Sequence, residues 1–131
     1  MQPPSLFLIF NHTFTSIQIA DAHNNLGVDS IIEMPDHLKN LWSNIPPESS
    51  GVYDFLQPIR RWIKKRARKN DYILIQGDFG ACYLMVNFSF ETGLVPVYST
   101  TSRVVEEQLH PDGSIQLKHR FKHQIFRKYG L

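Results

Sequence analysis

The chain has 131 residues, enough for one compact domain, and its 42% hydrophobic content excludes a disordered chain. The formal net charge is +2, but the charged residues are unevenly distributed along the chain. Residues 1–59 carry a net charge of −5 and residues 60–131 a net charge of +7. Such an uneven distribution points to an anionic partner. The single Cys82 excludes a disulfide framework and a zinc site built from cysteines. We expect a cytoplasmic protein without a membrane segment, because the first apolar run is too short to span a bilayer.

The first half of the chain alternates between strand and helix patterns. The apolar run Leu6–Phe10 predicts a strand buried on both faces. Thr15 can cap the helix that follows, and Gly27 is a natural stop for it. A second strand is predicted over residues 30–34, followed by a short helix that Asp36 could cap.

The second half repeats this alternation. It predicts a helix over residues 52–69, a strand over residues 72–75, a helix over residues 81–91 and a strand over residues 94–98. Pro58 implies a kink or a late start of the long helix, because proline cannot donate a helical hydrogen bond. Pro96 favours an edge position or an irregular ladder for the fourth strand.

Residues after the fourth strand have a different pattern. Extended segments over residues 104–109 and 115–126 flank the turn signal His110–Gly113, which predicts an antiparallel hairpin. We therefore expect one α/β domain over residues 1–131. It comprises a parallel sheet of about four strands flanked by helices (residues 1–102) and a C-terminal hairpin with a basic tail (residues 103–131).

Polar or glycine-rich segments follow three of the predicted strands, at the sheet edge where ligands bind in such folds. The candidate residues there are Asn11, His12, Thr13, Gln76, Gly77, Asp78, Phe79, Gly80, Thr100, Thr101 and Arg103. In the common strand order 2-1-3-4-5, the first two segments face each other. Glycines and a helix N-terminus suit a phosphate, but an ordinary turn with Asp78 as helix cap is an equal alternative. Phe79 could stack on a base or anchor the core, and Arg103 could bind phosphate or begin the hairpin.

Two basic clusters require separate interpretations. The cluster at residues 60–69 lies on a predicted helix and is typical of a solvated face, with RNA contact as the alternative. The cluster at residues 118–128 has interleaved aromatic residues, which suits a nucleotide ligand, although a protected edge strand has the same pattern. His12 is the acid–base candidate, with an exposed structural histidine as the alternative. We interpret Cys82 as a small residue packed in the protein interior. The spacing of the histidines relative to carboxylates predicts no metal site.

Five segments in the same order carry a resemblance to a known family. The strings LFLIFNHTFT, LWSNIPP, DYILIQGDFGACYLMVNF, PVYSTTSR and HRFKHQIFRKYG resemble small stand-alone CRISPR-associated proteins of type III systems, which are related to the Rossmann-like CARF domains. The resemblance implies a ligand of the cyclic oligoadenylate class, with cyclic tetra-adenylate expected. It also implies a ring nuclease, in which a ribose 2′-hydroxyl attacks the adjacent phosphorus without a metal or other cofactor.

We assign roles to the candidate residues from the chemistry that the resemblance implies. Arg103 would stabilise the phosphate charge, His12 would move a proton, and Arg120 and His123 would close over the ligand. Because the ligand is symmetric, we expect a homodimer with a shared site and no DNA partner. A protein that binds the cyclic nucleotide without cutting it, or a general RNA-binding subunit, are the alternatives.

Overall fold

The computed structural model describes residues 2–131, which form one mixed sheet with helices on both faces. The strands are β1 (Ser5–Ile9), β2 (Ser30–Glu33), β3 (Tyr72–Ile75), β4 (Val95–Leu109) and β5 (Ile115–Lys128). The α-helices are α1 (Ser16–Asp21), α2 (Asp36–Ser43), α3 (Gln57–Arg66) and α4 (Phe79–Glu91). A π-helical turn (Ala22–Leu26) continues α1, and a 3₁₀ turn (Asp54–Leu56) precedes α3.

The strand order across the sheet is β2-β1-β3-β4-β5. The first four of these strands are parallel to one another, and β5 runs antiparallel to β4. The predicted alternation of strands and helices and the antiparallel C-terminal hairpin are therefore present in an α/β fold. The hairpin is not a separate appendage, because β4 and β5 belong to the same sheet as the other strands.

The predicted end of the fourth strand at Tyr98 is wrong. β4 pairs with β3 only as far as Val97, but its pairing with β5 continues to Leu109. Since β5 supplies hydrogen-bond partners along this whole length, the chain stays extended well beyond the core. The edge position expected from Pro96 is also wrong, because β4 lies between β3 and β5. Pro96 is the second residue of the strand, and its carbonyl accepts a hydrogen bond from the Tyr129 amide at 3.0 Å.

The helix boundaries follow local capping chemistry. Thr15 caps α1 with a reciprocal capping box, and Gly27 ends the π-helical turn with a left-handed φ of 67°, as the sequence predicts. Pro58 lies in the first turn of α3, which gives the late start rather than the kink. The expectation that Asp36 caps α2 is wrong, because Pro35 occupies the cap position and Asp36 is the first helical residue.

The hydrophobic core has two layers, one on each face of the sheet. On one face, α2, α3 and α4 pack against β1 and β3 around residues such as Phe7, Trp42 and Ile63. On the other face, α1 and its flanking loops cover Leu6, Leu8 and Leu74. This alternation along β1 and β3 is the reason that their sequences are continuously apolar. Among residues 2–131, no helix has the length and apolar composition needed to cross a membrane.

Candidate functional site

Gln76 joins the carboxyl ends of three strands. Its backbone N–H donates a hydrogen bond to the Ile9 carbonyl at 3.1 Å, which ties the end of β3 to β1. Its side-chain Oε1 accepts from the Ser99 amide at 2.7 Å, where β4 has stopped pairing with β3. Its carbonyl accepts from Trp42 Nε1 at 2.9 Å. Both oxygen atoms of this predicted ligand-binding residue therefore accept hydrogen bonds within the protein, and only its side-chain Nε2 is left to contact a ligand.

A hollow of about 450 Å³ opens at this edge between α4 and the ends of β3 and β4. Four aromatic side chains line this aromatic hollow, namely Phe79, Tyr83, Tyr98 and Tyr129. The rings of Tyr98 and Tyr129 lie 4.8 Å apart at their centroids, and the Tyr129 hydroxyl donates to the Ile75 carbonyl at 2.6 Å. Phe79 is 95% exposed, so it anchors no part of the core. The hollow thus offers flat apolar faces to a planar ring.

Arg127 provides a positive charge beside the aromatic hollow. Its Nη1 donates to the Tyr98 hydroxyl at 2.8 Å, and its guanidinium carbon lies 5.5 Å from the centre of the Tyr98 ring. The sequence placed this arginine only within the tail cluster. Its relation to Tyr98 depends on the pairing of these two residues across β4 and β5, which the sequence pattern does not specify.

The loop over residues 77–80 owes its composition largely to packing and capping. Asp78 Oδ2 accepts from the Ala81 amide at 3.0 Å, so the helix-cap interpretation is the one observed. This carboxylate occupies the start of α4, where an anion would otherwise be attracted. A Cβ added to Gly77 would lie 2.8 Å from Trp42 Nε1, whereas one added to Gly80 would meet nothing closer than 3.5 Å.

Replacing Gly77 with Ala is expected to destabilise the protein by about 1–3 kcal/mol, because buried Trp42 cannot move away from the new methyl group. Gly80→Ala is the matched control, and it should leave stability unchanged or raise it by roughly 0.5–1 kcal/mol, since alanine favours the first turn of α4. Urea unfolding of both variants measures the difference. Equal stability of the two variants would show that Trp42 does not constrain Gly77.

A partly buried polar chain links α1, β4 and β5 on the opposite face of the sheet. His123 Nδ1 lies 2.5 Å from Ser99 Oγ, and His123 Nε2 lies 2.6 Å from Asp21 Oδ2. The side chain of His123 is only 4% exposed. Burial alone would raise the pKa of Asp21, but hydrogen bonds from Asn25 and His123 outweigh it and hold this pKa below its usual range. An ionised carboxylate, an imidazole and a hydroxyl in line can relay a proton.

Ring contacts connect this relay (Asp21, His123 and Ser99) to the loop after β1. Measured between ring centroids, Phe126 lies 4.5 Å from His123 and 5.9 Å from Phe14. The Phe10 ring in turn lies 6.3 Å from Phe14 and 5.5 Å from His12. His12 is exposed at the outer end of this row, next to the exposed Asn11 and Thr13. The structure therefore brings His12 and His123 to the same side of the sheet.

Sequence reasoning missed Asp21 and the role of Ser99, because the relay joins residues as far as 102 positions apart.

The remaining predicted residues are not brought to the strand ends. Thr100 binds the backbone of Ile125 through its hydroxyl, at the register shift between β4 and β5. Thr101 pairs with His123, and Arg103 lies four residues beyond Ser99, roughly 13 Å along the strand. Arg103 Nε donates to His119 Nδ1 at 3.1 Å. The expectation that Thr100, Thr101 and Arg103 follow a strand end is wrong, because β4 continues through them.

Arg120 also lies on the extended part of the hairpin. Its Nη2 contacts Glu106 Oε1 at 2.8 Å, and both side chains are about half exposed or more. In a single chain, Arg120 and Arg103 therefore extend away from the aromatic hollow. They can reach a ligand only if that ligand, or a second copy, lies against the hairpin.

Cys82 and Tyr129 are protonated at neutral pH. Burial, with the nearby Asp78 carboxylate, raises the pKa of the Cys82 thiol to about 11. Burial also raises the pKa of the Tyr129 hydroxyl to about 12. Neither group is thus an activated nucleophile. Within residues 2–131, no three His, Cys, Asp or Glu side chains come together as metal ligands would.

The fold and the edge geometry define an α/β protein with a ligand-sized aromatic hollow at the carboxyl ends of parallel strands. Residues 4–127 match the family described as "Uncharacterized protein MJ1673 family", so the chain belongs to that family. The chain is 49% identical over 126 residues to "Uncharacterized protein MJ1673" of Methanocaldococcus jannaschii. The aligned region covers 96% of this chain and 97% of that protein. No solved structure matches the chain.

Proposed function

We propose that the protein is a ring nuclease that binds and linearises a cyclic oligoadenylate, with cyclic tetra-adenylate as its substrate. In this proposal it is a cytoplasmic protein with a Rossmann-like, CARF-like core that switches off type III CRISPR signalling. The resemblance of five sequence segments to such proteins supports the ligand class. No cofactor is required, because the substrate carries its own nucleophile.

The aromatic hollow is the observation that carries this proposal. Adenine is a flat, apolar ring system, and stacking on an aromatic side chain stabilises each bound base by about 1–3 kcal/mol. Four aromatic side chains and the Gln76 amide group line a space of about 450 Å³, which is in the range of small-ligand sites. Arg127 lies at the side of Tyr98, where it can contact the phosphate attached to a stacked nucleoside.

Ring opening by this route needs only proton transfers and charge stabilisation. The ribose 2′-oxygen loses its proton and bonds to the adjacent phosphorus, while the bond from phosphorus to the 5′-oxygen breaks. The 5′-oxygen takes up a proton, and a 2′,3′-cyclic phosphate remains on the other end. His12 is the exposed acid–base candidate after β1. His123, which Asp21 holds in place, can exchange a proton with the hollow only through Ser99, which also lines it. Arg127 would stabilise the phosphate charge in place of Arg103, the residue suggested by the sequence, because Arg103 lies on the arm and Arg127 lies beside the hollow. The protein would act as a homodimer.

Product analysis in the presence of EDTA tests this function. Excess cyclic tri-, tetra- and hexa-adenylate is incubated separately with the protein and EDTA, and linear products are resolved by chromatography. We expect linear products ending in a cyclic phosphate from the tetra-adenylate ring, at a rate that EDTA does not change. A rate abolished by EDTA would contradict the metal-independent chemistry.

A protein that sequesters the cyclic nucleotide without cutting it is the second candidate. The observation that favours it is the placement of His12 and Arg103 on different elements, with His12 in the loop after β1 and Arg103 on the extended part of β4. It predicts tight binding with intact ligand at every time point of the same assay. A general RNA-binding subunit would instead bind unrelated RNA, with an affinity that falls steeply as salt rises.

A further inference from the structure

The hairpin continues beyond the core as a two-stranded arm, formed by residues 103–109 of β4 and 115–121 of β5. Residues paired directly across antiparallel strands share a face. One face of the arm therefore carries the pairs Arg103–Phe121, Val105–His119, Glu107–Leu117 and Leu109–Ile115. The five apolar side chains on this face are more than half exposed, at 53% for Val105, 74% for Leu109, 60% for Ile115, 54% for Leu117 and 71% for Phe121.

The opposite face of the arm is polar. It carries the pairs Val104–Arg120, Glu106–Lys118 and Gln108–Gln116, and Arg120 forms an ion pair with Glu106. Alternation between a polar and an apolar face is the pattern of a strand with one face in water and the other face packed. In a single chain, nothing within residues 2–131 covers the apolar face of the arm, since all five apolar side chains are exposed.

The exposed apolar area is large enough for an interface. Five such side chains expose on the order of 100 Å² each, which gives about 500 Å² per copy. Two copies that cover each other would bury about 1,000 Å² from these side chains alone, which is the lower limit for a specific interface. A second copy therefore reaches this lower limit when the five side chains on each copy are fully covered.

Charges on this face favour a second copy as the occupant. Arg103 and Glu107 lie on either side of Val105 along the same face of β4. When two such faces stack with their β4 strands antiparallel, each Arg103 comes opposite Glu107 of the partner subunit. Among the described residues, Glu107 has no salt-bridge partner of its own. A nucleic acid would favour the other face, which carries Lys118 and Arg120.

We propose that the apolar face of the arm packs against the same face of a second copy, about a two-fold axis near Val105. The two arms stack face to face about 10 Å apart, as packed sheets do. This inference specifies the homodimer of the proposed function. It rests on the arm alone and does not require that the protein bind or cut a nucleotide.

Molar mass in solution, measured by light scattering on the whole protein, tests the interface. The wild type is expected to be a dimer at micromolar concentration. Leu117→Asp places a charge on the apolar face and should give a monomer with unchanged circular dichroism. Gln108→Asp adds the same charge to the polar face and should remain a dimer. A monomeric wild type, or a dimeric Leu117→Asp, would overturn the proposal.

Exchange of the two charges tests the antiparallel arrangement. Arg103→Glu and Glu107→Arg should each weaken the dimer about tenfold or more, because like charges then face each other across the axis. The double variant Arg103→Glu/Glu107→Arg should restore the wild-type dissociation constant. Additive weakening in the double variant would overturn the two-fold pairing. Because these experiments measure mass without ligand, their outcome is independent of whether the product assay supports the ring nuclease.

Discussion

His123→Ala should slow ring opening of cyclic tetra-adenylate by about 100-fold or more, the usual effect of losing a positioned acid or base. The imidazole lies between Ser99 Oγ at 2.5 Å and Asp21 Oδ2 at 2.6 Å, so its orientation is fixed before a ligand arrives. Single-turnover rates at saturating ligand measure the effect, and ligand affinity is measured separately. We expect the rate to fall far more than the affinity.

Three further variants make this result specific. Asp21→Asn keeps the shape of the side chain but removes the charge that holds the imidazole, and it should therefore lower the rate. His37→Ala on the exposed side of α2 is the control and should have no effect. His12→Ala compares the two acid–base candidates. If His12→Ala abolishes turnover while His123→Ala only lowers stability, the relay is structural and His12 carries the chemistry.

Phe79→Ala is expected to weaken binding of cyclic tetra-adenylate about 10- to 100-fold, because one stacking surface for adenine is lost. The same change should leave the stability of the protein nearly unaltered, since the side chain is 95% exposed. Titration calorimetry measures the affinity and thermal unfolding measures the stability. A large loss of affinity without a loss of stability would identify Phe79 as a ligand contact.

Phe90→Ala is the matched control for this prediction. Phe90 also lies on α4 and is 53% exposed, but it does not line the aromatic hollow. Its replacement should leave ligand affinity unchanged. If Phe79→Ala and Phe90→Ala had the same small effect, the hollow would not be the adenine site, and the site would have to be sought on the face that carries His12.

Much of the fold could be predicted because its elements are determined locally. The continuous apolar runs of β1 and β3, the Thr15 cap and the Gly27 stop are visible in the sequence and are present in the structure. The length of β4 could not be predicted, because it depends on the partner strand. Residues 99–103 are polar and read as a loop, yet β5 pairs with them and keeps them extended.

The candidate site was predictable only in part. The segments after β1 and β3 lie at the carboxyl edge because parallel strands end together there. The pattern did not reveal that Gly77 is required by Trp42, that Tyr98 and Tyr129 form one wall of the aromatic hollow, or that Asp21 holds His123. Each of these depends on contacts between residues that are far apart in the chain.

By itself, the sequence determined the alternation of strands and helices, the presence of the C-terminal hairpin and the concentration of basic residues after residue 59. These features follow from hydrophobic periodicity, turn chemistry and composition, which act over a few neighbouring residues. The tertiary structure decided how far β4 extends, which side chains form the aromatic hollow and the relay, and which face of the arm is left bare. These features depend on strand register and helix placement, because register decides which distant side chains share a face.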